Sequence, residues 1–237
     1  DGKMERREFI KVLGGGVALS AVPGLIQARL NQPRPHIFMV FSDDLTWHDL
    51  GCYGDPVART PHIDQLAREG MVFDNMFTPC PMCGPSRASM FTGLYTMRHG
   101  AHPNWSSCKP GTRTMAHYME ALGYRTILLG KRHIKPDDSY PFEYYSDADN
   151  QYGPGSDLKR ILDDPGDKPL CIIMCKFHAH FGWFHNNHNY DPEKVHLPPY
   201  LVDTPETREL RANYYSYVED VDIAVGHVTD LLKEHKV

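Results

Sequence analysis

The chain has no surplus of basic residues: 25 Lys and Arg against 30 Asp and Glu leave a formal charge of −5 over 237 residues. That balance excludes a protein that grips nucleic acid by broad phosphate neutralisation, so a polyanionic ligand must be met by a local basic pocket. Regular cysteine spacing is missing too. The six cysteines, at 52, 80, 83, 108, 171 and 175, trace no disulfide framework, and Cys80-x-x-Cys83 lacks the second pair or two-histidine partner of a zinc ribbon. No internal repeat or low-complexity tract is present. The uncharged run at residues 12–27 holds Gly14-Gly15-Gly16 and Pro23 and is short for a membrane span, so no stable membrane anchor is expected. What remains is one globular unit, or part of one, with 41% hydrophobic residues to build a core.

The uncharged run follows Arg6-Arg7-Glu8-Phe9-Ile10-Lys11, a pattern that fits a twin-arginine export signal. Residues 1–30 are therefore expected to be such a signal with a short extension, Asp1-Gly2-Lys3, ahead of Met4. Export to the periplasm or beyond follows, with residues 35–237 as the exported globular part.

Apolar runs of strand length occur at 36–42, 125–129 and 170–177, as buried parallel strands require. Each ends in polar residues: Asp43-Asp44 after the first, Lys131 and His133 after the second, His178 and His180 after the third. In open α/β sheets ligands gather beyond the carboxyl ends of strands. Residues 61–69 read as a helix with Pro61 at its start and Gly70 after its end, followed by a strand at 71–77. Helices are also expected at 112–122 and near 156–162, the latter within a loop region rich in Asp, Pro, Gly and Tyr at 136–168. Residues 204–233 read as one long helix whose stripe of Tyr214, Val218, Val221, Val225, Val228 and Leu232 belongs to the core.

The densest signal is Cys83-Gly84-Pro85-Ser86-Arg87-Ala88-Ser89-Met90-Phe91-Thr92-Gly93. Pro85 suits a first helical turn, so Cys83 falls at a loop-to-helix junction where unpaired N–H groups and the positive dipole end would hold an oxyanion. An isolated cysteine there would read as an ordinary buried one. The segment, however, resembles the Cys-x-Pro-Ser-Arg…Thr-Gly signature of the type I sulfatases, in which the cysteine is oxidised to formylglycine.

The resemblance covers nearly all of the chain beyond the signal and implies an α/β fold, an alkaline-phosphatase-like sandwich with a mostly parallel central sheet flanked by helices. It implies a metal site of Asp43, Asp44 and the formylglycine from Cys83, suited to Ca²⁺ or Mg²⁺ because adjacent carboxylates are hard oxygen ligands. By the same resemblance Arg87 would steady that cluster, Lys131 would contact a sulfate oxygen, and His133 would lie near the formylglycine hydroxyls. The later family histidine best matches His180, a general acid for the departing oxygen or nitrogen, but Phe177-His178-Ala179-His180 lacks the usual prolines and His178 is an alternative. Implied partners are a sulfated sugar or glycosaminoglycan and a formylglycine-generating maturation enzyme.

Two motifs of the family, an Asp-(Asn/His)-Gly metal turn and a second substrate lysine, find no match, so the chain is expected to be an N-terminal portion that binds metal weakly and is inactive alone. Within the family, residues 130–136 and 140–144, together with 195–205, look like the heparan N-sulfatases (sulfamidases), which nominates N-sulfoglucosamine or a related sulfated sugar. Tyr140, Tyr144, Tyr145, Trp183, Phe184 and His185 are candidates for a sugar pocket or for loop packing. Competing readings are a phosphonate or phosphodiester hydrolase of the same superfamily and a non-catalytic binder of sulfated glycans.

Overall fold

The apolar runs become adjacent strands of one sheet. A computed structural model describes residues 34–146, 155–176 and 178–237; the expected signal at 1–30 lies outside them. Strands β1 (Ile37–Phe41), β2 (Arg125–Gly130), β3 (Glu143–Tyr145) and β4 (Leu170–Cys175) pair in the order β1-β4-β2-β3, and every pairing is parallel. Ile37 faces Cys171 and Gly130 faces Cys175, so β1, β4 and β2 end at one edge and deliver their following residues together.

Side-chain alternation divides the core in two. Ile127, Leu129, Ile172 and Met174 point to one face, where Leu158, Ile161, Ala224 and Val228 cover them. Leu128, Ile173 and Cys175 point to the other, against Ala88, Phe91 and Ile134. Burial raises the Cys175 thiol and lifts Cys171 to about 11, as expected of inert core cysteines.

The helices are α1 (Pro61–Glu69), α2 (Cys83–Thr92), the single turn α3 (Thr96–His99), α4 (Met115–Ala121), α5 (Gly155–Asp163) and α6 (Pro205–Glu234). Thr204 caps α6 by accepting from Thr207 N–H, and Gly93, at φ 69°, closes α2 in the left-handed conformation that glycine adopts cheaply. The cap of α1 is remote: Asp222 of α6 accepts from the N–H groups of His62 and Ile63 at 3.3 and 2.8 Å.

Two expectations need correction. Residues 71–77 form no strand, and Met71, Met76 and Phe77 lie largely in solvent; an apolar pattern without a neighbour to pair with gains neither ladder nor burial. The region 136–168 contains β3, three residues paired to β2 at the sheet edge.

Candidate active site

Beyond β1, Asp43 is 6% exposed and receives two cations. Lys131 Nζ contacts its Oδ2, and Arg87 Nη2 lies 3.7 Å from Oδ1. Arg87, from α2, also donates from Nη1 to the Lys131 carbonyl at 3.0 Å. Two buried cations thus meet one buried carboxylate, and the second carboxylate of the turn, Asp44, is exposed beside them.

Cys83 is the first residue of α2, as the motif predicts. The oxyanion role of the helix start is smaller than the sequence implied. Gly84 N–H is taken by Asn104 Oδ1 at 2.8 Å, Pro85 has no N–H, and Ser86 N–H bonds to the Met82 carbonyl at 2.9 Å. The amides of this helix start are thus largely taken, and the cations that line a cleft with Cys83 include Lys131 and Arg87.

The structure gathers Asp43, Cys83 and His180: one ligand atom from each lies within 4.8 Å of the others. Asp44, in left-handed conformation at φ 53°, stands 3.6 Å from His180 Nε2 by its Oδ2. The Asp43 and Asp44 carboxylates beside this group are hard oxygen donors of the kind a divalent cation takes, so the donors fit such an ion. They provide only part of the 6–8 oxygens that Ca²⁺ takes.

The two candidate acids separate. His180 is partly buried and lines the same cleft as Cys83, Lys131 and His133. His178 is not in that cleft. Its Nδ1 lies 3.2 Å from buried Asp220 of α6, and Asp220 also holds His188 Nε2 at 2.7 Å. The His178 carbonyl accepts from Asp43 N–H at 3.2 Å and Ser42 Oγ at 2.7 Å, so this histidine fixes the loop that carries Asp43.

His133, at φ 45°, packs on Trp105 with ring centroids 4.3 Å apart. Burial, followed by the charges of Lys131 and Arg87, pushes its pKa below the usual histidine value, so the imidazole is held neutral. Its buried Nε2 has no hydrogen-bond partner among the described residues, an orphan that a ligand oxygen would satisfy.

Of the aromatics nominated for a sugar pocket, only Tyr144 lines the Cys83 cleft. Tyr140 is buried core with its hydroxyl on Cys108 Sγ at 2.9 Å, and Tyr145 bonds Glu143. Trp183 packs on Tyr214, while Phe184 and His185 are exposed outside that cleft. Trp105, Asn104 and Arg132 line the cleft and carried no sequence signal of their own.

A family model described as Sulfatase matches residues 35–237. The chain is 28% identical to the human N-sulphoglucosamine sulphohydrolase over 92% of its own length and 50% of that protein's. It is 27% identical to the ulvan-active sulfatase of Formosa agariphila over 84% of its length and 41% of the relative's. Thus it spans about half the length of the curated relatives it matches. Among solved structures, the phosphonate monoester hydrolase of Agrobacterium radiobacter superposes with a TM-score of 0.71 at 18% identity, over 85% of this chain and 60% of that one. The shared fold is the alkaline-phosphatase-like α/β sandwich.

Proposed function

We propose that this chain, which belongs to the sulfatase family, supplies the nucleophile-bearing and anion-binding part of a hydrolase that releases inorganic sulfate from sulfated sugars. The observation that carries this reading is the convergence of Asp43, Cys83 and His180 at the carboxyl ends of parallel strands, with Lys131 and Arg87 on Asp43. A formylglycine made from Cys83 by a maturation enzyme, beside a Ca²⁺ or Mg²⁺ ion held by Asp43 and Asp44, would supply the attacking hydroxyl and lower its pKa.

The chain's own side chains account for the other requirements. Lys131 and Arg87 offset the charge that develops on the equatorial oxygens as the bond to sulfur breaks. His133, kept neutral, presents Nε2 for a hydrogen bond in the cleft. His180 gives its proton to the departing sugar oxygen or nitrogen, with its Nε2 3.6 Å from Asp44 Oδ2. The names of the two relatives, one acting on an N-sulphoglucosamine and one on ulvan, support a sulfated sugar as substrate. The Arg6-Arg7 pattern supports a location outside the cytoplasm for this hydrolase.

The test is sulfate release by the full-length protein, produced together with a formylglycine-generating enzyme, on N- and O-sulfated sugars. The Cys83 peptide should show formylglycine by mass spectrometry, and Cys83→Ala should lose turnover while keeping the far-UV circular dichroism of the wild type. An unmodified thiol in active protein would remove the nucleophile from this scheme. Faster turnover of phosphonate monoesters or phosphodiesters than of any sulfate would instead favour the chemistry of the Agrobacterium enzyme.

A further inference from the structure

The cleft containing Cys83 extends past the anion-binding groups to a wall that the sulfate chemistry does not use. That wall is Trp105, Arg132 and Tyr144, and the cleft measures about 620 Å³, far more than a sulfate group fills. Trp105 is 72% exposed, an unusual state for a large apolar ring, and it stands at φ 69°. Its neighbour His133, whose ring is tilted 42° to the indole, is also left-handed. Two of the five non-glycine residues with positive φ among those described, Trp105 and His133, thus line one cleft, and strain of this kind collects where a site needs a side chain in a fixed place.

Trp105 is tied to the nucleophile by sequence. Asn104, its neighbour, accepts the N–H of Gly84, the residue after Cys83, and a Cβ on Gly84 would approach Asn104 Oδ1 to 3.1 Å. The indole is therefore indexed to the point of attack. Arg132 lies over the Tyr144 ring with its guanidinium carbon 5.3 Å from the centroid, and Tyr144 is itself anchored by its hydroxyl to the Gly130 carbonyl at 3.0 Å. The partner of Arg132 is Asp137, at 2.9 Å and three-quarters exposed. With its carboxylate so far in solvent the pair contributes little, so a substrate anion can take the place of Asp137 at small cost.

We infer that Trp105 and Arg132 form a sugar subsite: the indole carries the face of the ring whose sulfate is cleaved, and the guanidinium receives a second anionic group on the substrate. This rests on the sulfatase reading above and names what that site selects. The second anion is a sulfate on the same ring or a carboxylate on the neighbouring ring, because a planar guanidinium fork matches both.

The experiment compares the full-length enzyme with its variants on three substrates: a singly sulfated hexosamine, a doubly sulfated hexosamine, and a singly sulfated disaccharide with a uronic acid. Inorganic sulfate as inhibitor serves as probe of the anion pocket alone. Trp105→Ala should raise KM on all three sugars roughly tenfold, with Trp105→Phe recovering most of it and the Ki of sulfate moving far less. Arg132→Ala should erase roughly ten- to hundredfold of the preference for one doubly anionic substrate over the singly sulfated sugar, and the substrate affected identifies the source of the second anion. Arg132→Lys should restore only part of it. Equal changes in sulfate Ki and sugar KM would make Trp105 a support for His133 and overturn the subsite, as would an unaltered preference in Arg132→Ala. Absence of sulfate release from every sugar by the formylglycine-bearing wild type would refute the sulfatase reading itself and the subsite with it.

Discussion

Replacing Arg211 with methionine should destabilise the protein far more than the loss of one surface cation would. Arg211 is 8% exposed on α6, and its guanidinium meets Asp49, 2% exposed, through both terminal nitrogens. Its Nε donates to the His196 carbonyl at 3.0 Å, and it stacks on Tyr214 and Tyr215 at 4.7 and 4.6 Å. Methionine keeps much of the apolar packing but abandons the Asp49 carboxylate in a buried site. Breaking a buried pair from one side costs about 3–5 kcal/mol, because an uncompensated charge is left behind.

At a urea slope of about 3 kcal/mol/M, that loss lowers the unfolding midpoint by roughly 1–2 M. The double variant Arg211→Met with Asp49→Leu removes both charges and should regain more than half of the loss. The assay is equilibrium urea unfolding of the full-length protein, followed by tryptophan fluorescence. A single variant within about 1 kcal/mol of wild type, or a double variant as weak as the sum of the two singles, would refute the account of Asp49 as a buried charge that Arg211 neutralises.

His180→Ala should slow sugar sulfates or sulfamates by about 10²–10⁴-fold while slowing an activated aryl sulfate much less, since a good leaving group departs without a proton; equal losses on both would remove His180 as the acid. His99 is fully buried, accepts Ala101 N–H at Nδ1 and pairs Nε2 with Ser89 Oγ, and burial followed by the charges of His102 and Lys109 lowers its pKa. A lowered pKa means that the unfolded chain binds the proton first, so stability is full above the unfolded value of about 6.5 and is lost as pH falls through the folded one. Urea midpoints from pH 7.5 down to 5 should show that decline, and His99→Gln should flatten it. Replacing Arg6 and Arg7 with lysine should leave precursor in the cytoplasm on fractionation; unchanged export would point to another route.

Much of the framework was legible in local pattern. Three continuous apolar runs could only be buried parallel strands, and a parallel sheet brings the polar residues after each strand to one edge, which is how Asp43, Lys131, His133 and His180 come to share a region. Helix α2 followed from its proline and glycine punctuation. The failures have physical causes as well. Residues 71–77 have the composition of a strand, but pairing is a property of two segments, and the sequence of one cannot supply the other. The three residues of β3 are too few to show alternation. Trp105 owes its place to a left-handed backbone that tryptophan does not advertise, and the amide of Gly84 was lost to Asn104, twenty residues away.

One signal was present and unread. The core stripe of α6 is interrupted by charge: Arg211 stands three and seven positions before Tyr214 and Val218, and Asp222 stands four after Val218 and three before Val225. A charged residue on an apolar helical face is costly unless something distant answers it. Each such residue on α6 meets a different segment of the chain. Arg211 holds Asp49 beyond the Asp43–Asp44 turn, Asp222 caps α1, and Asp220 grips His178 and His188 in the region after β4. The loops bearing Asp43 and His180 are thus registered to the same 30-residue helix, although no residue of that helix lines the cleft with Cys83. In this fold the proposed chemistry lies at strand ends and one helix start, whereas the alignment of those loops depends on polar residues placed where hydrophobic patterning would forbid them.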